Sequence, residues 1–229
     1  MSTGHRRDAR KTDAELYQML GEGDTSALYA KKVVLDTAHD IPYAGGVSVD
    51  GKTVYIDRRL YRDVIDGRLA VRGMSPRQII QAWIEHEHTE KAIDDGDNPV
   101  DAYLGAHGFG TAREHAFVRL LRVDPKRYEG AIAPALDRCA KRDPDNPPRD
   151  LWCGPYLDQP TARDQEILRI LRAKGVADAF KASKLAAEYG IGAEKCRDCG
   201  HFAGGKLGEC EKVCGLVRWN RRCDWYEAK

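Results

Sequence analysis

The stretch Trp83-Ile84-Glu85-His86-Glu87-His88-Thr89-Glu90 packs imidazoles and carboxylates close together. On a helix, Ile79, Trp83, His86 and Glu90 fall on one stripe, at i, i+4, i+7 and i+11. Apolar positions on such a stripe face a core, so polar residues that continue it need partners there. A metal ion is one such partner, because His and Glu one turn apart can both ligate zinc. Glu87 follows His86 directly, the place of the general base in the His-Glu-x-x-His metalloprotease pattern; here Glu90 replaces the second histidine. The chemistry this set could perform is metal-assisted hydrolysis.

The next helical region offers Tyr103, His107 and Glu114 at one- and two-turn spacing, with Val118 and Leu121 extending the face. His107 is the candidate third ligand, and Glu114 a fourth ligand or a partner behind one. In the enzyme reading His86, Glu90 and His107 hold zinc, Glu87 moves the proton, Tyr103 steadies an oxyanion, and the hairpin strand near Val54–Asp57 aligns an extended peptide by edge addition. The His-Glu-x-x-Glu pattern followed by Tyr103-x-x-Ala106-His107 and Glu114 resembles an uncharacterised family of phage and prophage proteins with a zincin-like core. That resemblance covers about Val54 to Tyr128. It implies a small sheet packed on the metal-bearing helix. Two other readings stand beside the mononuclear site. Glu85, Glu87, His88, Glu90 and Lys91 can form an ordinary solvated helix face. Glu85-x-x-His88 is also one copy of the di-iron carboxylate motif, which needs two.

Five of the chain's seven cysteines lie between 196 and 223, spaced Cys196-x2-Cys199-x10-Cys210-x3-Cys214-x8-Cys223. Clustered thiolates suit zinc or iron–sulfur centres, and a Cys-x2-Cys pair delivers two sulfurs from one turn. Cys196, Cys199, Cys210 and Cys214 would make a tetrahedral zinc site; replacing Cys214 by Cys223 would make a cubane site. Cys-Arg-Asp-Cys-Gly-His-Phe, then Cys210 with Gly215 beyond it, then Cys223 with Trp225 and Tyr226, resembles the high-potential iron–sulfur proteins. That resemblance implies a [4Fe–4S] cluster on Cys196, Cys199, Cys210 and Cys223, with Phe202, Trp219, Trp225 and Tyr226 as its aromatic surround. The gap between the third and fourth cysteines is one residue short of the family's pattern.

The elements that must position these groups can be sketched. Thr12-Asp13-Ala14-Glu15 reads as a capping box before a short helix, and Val33-Val34-Leu35 as a short strand. Asp50-Gly51 between Val47–Val49 and Val54–Ile56 predicts a hairpin. Ser75-Pro76-Arg77-Gln78 opens a helix to about Ile93. A second helical region covers about Val100 to Val123, weakened by Gly105, Gly108 and Gly110; Asp124-Pro125 starts another short helix toward Asp137. The Pro-rich stretch from Pro144 to Pro160 reads as a linker or a long wrapping loop. Helices over Thr161–Lys174 and Val176–Tyr189 follow, stopped by Gly175 and Gly190. The expectation is α+β: residues 1–143 a zincin-like domain with a small antiparallel sheet, 144–160 a linker, 161–195 a helical pair and 196–229 a loop-rich cysteine module.

At 229 residues, 32% of them charged and with a formal charge of +1, the chain has no global field to draw in nucleic acid or a membrane. Neither a signal-peptide apolar region nor a transmembrane run is visible, so synthesis in the cytoplasm is expected. Two function classes fit: a zinc-dependent, peptidase-like hydrolase with a peptide substrate, and a metal-stapled structural component of a larger assembly such as a phage virion, with protein partners.

Overall fold

The computed structural model describes residues 33–94, 102–157, 161–181, 195–205, 207–213, 216–218, 223 and 226–228. The expected helix after Thr12 and most of that after Val176 lie outside them.

The fold is α+β. Strands β1 (Val34–Asp36), β2 (Gly45–Val47) and β3 (Thr53–Ile56) form a sheet in the order β1-β3-β2. β2 pairs antiparallel to β3 with Val47 opposite Val54, so the hairpin exists, its first strand lying two residues earlier than predicted. Gly51 takes φ 72 in its turn, the left-handed conformation that favours glycine. β1 runs parallel to β3. Alternation along β3 sends Val54 and Ile56 into one core and Tyr55 into a second, on the opposite face.

Helix α1 (Arg58–Ile65) starts at Asp57, whose carboxylate accepts from the Arg59 and Leu60 N–H groups. The Ser75–Gln78 capping box forms, with both side chains bonded to the reciprocal backbone N–H, and opens α2 (Pro76–Asp94). Helix α3 (Ala102–Leu120) runs unbroken through Gly105, Gly108 and Gly110. Gly110 accounts for part of this pattern: a Cβ there would meet the His86 carbonyl at 3.0 Å and its ring at 3.2 Å. The glycine lets α3 close tightly on α2. Helix α4 (Pro125–Ala140) is capped by Asp124 and extends past its expected end, with Pro134 inside it.

The Pro-rich stretch wraps. The buried Asp40 carboxylate accepts from the Asp145 and Asn146 N–H groups, and Trp152 N–H donates to Val47 carbonyl at 2.8 Å. Leu151, Trp152 and Cys153 are buried, and Ser48 bridges Leu151 as an added edge to β2. A short helix α5 (Gly154–Leu157) follows, then α6 (Ala162–Ala173), opened by a Thr161–Asp164 capping box. Gly175, at φ 77, stops α6 as expected.

The cysteine module has its own core. A 3-10 turn (Cys196–Asp198) leads to an antiparallel sheet of β4 (Phe202–Gly204), β5 (Leu207–Cys210) and β6 (Leu216–Arg218). No helix among the described residues is long and apolar enough to cross a membrane.

Candidate metal centre

The predicted stripe on α2 is real. Ile79, Trp83 and Glu90 are buried, and His86 follows them into the interface with α3. The solvated-face alternative does not describe this helix: Glu85 and Lys91 are each 2% exposed. Glu85 pairs with Arg113 of α3 at 3.3 Å, and Lys91 Nζ lies 4.9 Å from the centre of the Trp152 ring.

Three ligand-type atoms converge between α2 and α3. His86 Nε2 lies 3.2 Å from His107 Nδ1 and 3.3 Å from Glu90 Oε2, and His107 Nδ1 lies 2.9 Å from Glu90 Oε2. A tetrahedral zinc with bonds of about 2.0–2.1 Å needs ligand atoms about 3.3–3.4 Å apart. The triangle is therefore of a size to hold such an ion, and two imidazoles with one carboxylate form a donor set typical of catalytic zinc. His86, Glu90 and His107 could hold a metal ion; no other such group of three occurs among the described residues.

Glu114 meets the opposite side of the His86 ring: its Oε2 accepts from Nδ1 at 2.9 Å. Its other oxygen accepts from the fully buried Tyr128 hydroxyl at 2.5 Å. This is the carboxylate–histidine arrangement that fixes a ligand's tautomer and ring plane. Burial alone would lower the His86 pKa, but the Glu114 and Glu90 carboxylates outweigh it and hold it well above the ordinary histidine value. Glu90 stays below the usual carboxylate range: burial opposes this, and the bonds from His107 and His86 prevail.

Glu87 lines the same cleft. Burial, with the Glu90 and Glu114 charges adding to it, pushes its pKa up to about 8 against the opposing pull of His86. Its carboxylate lies against the edge strand, where a Cβ on Gly45 would approach Glu87 Oε1 to 2.6 Å. Tyr103 falls on the first turn of α3, and its side chain lies outside the described residues. The cleft has a volume of about 470 Å³ and continues from the three-atom site along α4 to Tyr43, Trp152 and Tyr156. Tyr43 and Gly45 carried no readable signal in the sequence. Tyr128 stood out only as the end of the family resemblance.

In the cysteine module Cys196, Cys199, Cys210 and Cys223 are buried together with Phe202, Val213 and Val217, and Tyr226 packs against them. Burial, then the nearby Cys223, Cys210 and Cys199, pushes the Cys196 thiol up to about 12. Backbone N–H groups of Glu227 and Lys212 donate to the Cys199 and Cys210 sulfurs, each at 3.4 Å. Cys214, Trp219 and Trp225 lie outside the described residues.

No protein-family profile, curated protein or solved structure matches the chain.

Proposed function

We propose that this protein is a zinc-dependent hydrolase acting on peptides, built on a zincin-like α+β core. The observation that carries the reading is the convergence of His86 Nε2, Glu90 Oε2 and His107 Nδ1 at 2.9–3.3 Å, beside Glu87 in an open cleft. Zinc bound there would supply Lewis acidity for a carbonyl and a lowered pKa for water. Glu87, which lines the cleft beside these three ligand atoms, is placed to accept a proton from water and pass it to a leaving amine. Glu114 and Tyr128 hold the His86 ring in place.

The strand that would align a peptide is β2. The sequence pointed to Val54–Asp57, but β3 is the central strand, with neighbours on both sides. Asp57 N–H donates to Ala44 carbonyl and Ser48 N–H to Thr53 carbonyl, so alternation turns the Gly45 N–H and C=O outward. Gly45 lines the cleft, where those two groups suit edge addition of an extended chain.

The co-burial of Cys196, Cys199, Cys210 and Cys223 supports a [4Fe–4S] cluster on those four, acting as the staple a small module needs. Anaerobic purification with metal analysis and an absorption spectrum tests both centres. A cubane absorbs broadly at about 400 nm, whereas zinc at the cysteines does not. For the hydrolase, Glu87→Gln should retain zinc and lose cleavage of a quenched-fluorescence peptide library, and His86→Ala should lose both. Undiminished cleavage by either variant would refute the reading.

A further inference from the structure

Resting on the hydrolase reading, we infer that the cleft selects peptides with a bulky apolar residue beside the cleaved bond and rejects acidic ones, with Tyr43 as the residue that sets this choice. Tyr43 takes φ 64, a left-handed conformation that residues with side chains seldom adopt. Such outliers gather where a ligand is clamped, and this one lines the cleft. It is held from both ends. Its hydroxyl donates to Asp164 Oδ1 at 2.5 Å, and its ring stacks on Tyr156 with centroids 6.1 Å apart and planes at 17°. Asp164 is itself fixed by the capping box of α6.

The consequence is a shelf of carbon. The Tyr43 hydroxyl is engaged by Asp164, burial and that carboxylate raise its pKa to about 12, and the ring offers the cleft an apolar surface. Ile132 and Leu136 of α4 line the same space. A cavity of about 470 Å³ has room for a large side chain beside the reacting amide.

Charge narrows the substrate further. Glu87, Glu90, Glu114, Asp137 and Asp164 line the cleft, with neither lysine nor arginine among its described lining residues. Even with Glu87 carrying a proton, the other four carboxylates exceed the two charges of a divalent ion. Asp137 stands exposed, so an incoming group meets an acid there first. Among the described residues no lysine or arginine lines the cleft to meet a terminal carboxylate or a phosphate, which points to internal bonds in neutral or basic peptides.

The test uses the full chain loaded with zinc and a set of blocked peptides differing only beside the cleaved bond. Leu and Phe peptides should be cut with kcat/KM on the order of tenfold above Ala and more above Glu. Tyr43→Ala should collapse the Leu-to-Ala ratio, while Tyr43→Phe, which keeps the ring, should preserve it. Asp137→Lys should raise cleavage of the Glu peptide. Equal cleavage of Leu, Ala and Glu peptides, or a ratio unmoved by Tyr43→Ala, would overturn the inference and leave the hydrolase reading intact. If zinc binds and no peptide is cut, the hydrolase reading fails. The shelf is then judged by tryptophan fluorescence titration with the same peptides: Leu binding at least about tenfold tighter than Glu supports it, and equal binding overturns it.

Discussion

Replacing Glu114 by Gln isolates what the carboxylate behind His86 contributes. The amide keeps the shape and one oxygen for the His86 Nδ1 hydrogen, so the ring stays bonded, but the acceptor loses its charge. A hydrogen bond to a charged group is worth about 1.5–3 kcal/mol and a neutral one about 0.5–1.5. The 2.9 Å contact should therefore weaken by about 1–1.5 kcal/mol. That alone weakens zinc binding by about tenfold, and losing the carboxylate's electron-donating push on the ring moves the figure toward the upper part of a range of about 10–100. Competition against a chromophoric chelator measures the zinc Kd, and a urea titration of the metal-free protein checks that the fold is retained. A Kd within twofold of wild type would refute the orienting role. A loss as complete as that of His86→Ala would refute it differently, by making Glu114 a ligand in its own right.

Gly45→Ala should leave zinc bound and lower kcat, because the new Cβ would lie 2.6 Å from Glu87 Oε1 and push the carboxylate aside; zinc content and peptide turnover measure the two effects separately. Cys223→Ser should abolish the iron and sulfide content of the module while Cys214→Ser leaves it, and the reverse pattern would establish the zinc ligand set. Cys139 gives a pH signature. Burial, then the Asp57 charge, raises its thiol from 9.0 to about 11, so the unfolded chain releases this proton first. Its contribution to stability is complete below about pH 9 and declines as pH rises toward about 11, with a slope of at most about 1.4 kcal/mol per unit. Urea midpoints across that window should fall more steeply for wild type than for Cys139→Ala.

Local rules carried the sequence reading where the signal was local. Ser75 with Gln78, Asp50-Gly51 and Gly175 each marked its boundary because a cap or turn is set by a few neighbouring residues. The His86–Glu90 stripe was legible because helical periodicity puts both on the face that buries Ile79. The glycines of α3 misled in one respect: propensity counts them as weak points, whereas Gly110 has a use that only the facing His86 explains. The prolines after residue 144 did exclude long regular elements, but their backbone bonds to β2 and Asp40 are tertiary and leave no periodic trace. Tyr43 is the extreme case, since its contacts with Asp164 and Tyr156 span more than a hundred residues.

The distribution of the site along the chain carries a further consequence. Every group assigned to zinc and proton chemistry, apart from the supporting Tyr128, sits on the helix pair between Pro76 and Leu120. The groups assigned to choosing a substrate come from elsewhere: Tyr43 before the hairpin, Leu136 and Asp137 on α4, and Tyr156 and Asp164 near the two ends of the α5–α6 connection. In the proposed hydrolase, reactivity and selectivity are thus encoded in separate stretches of sequence. Substitutions at these positions can retune what enters the cleft while the reacting centre is inherited unchanged, the usual route by which one scaffold comes to serve different substrates. A laboratory selection for altered peptide preference should accordingly collect its changes around residues 43, 136–137, 156 and 164 and leave the α2–α3 interface alone.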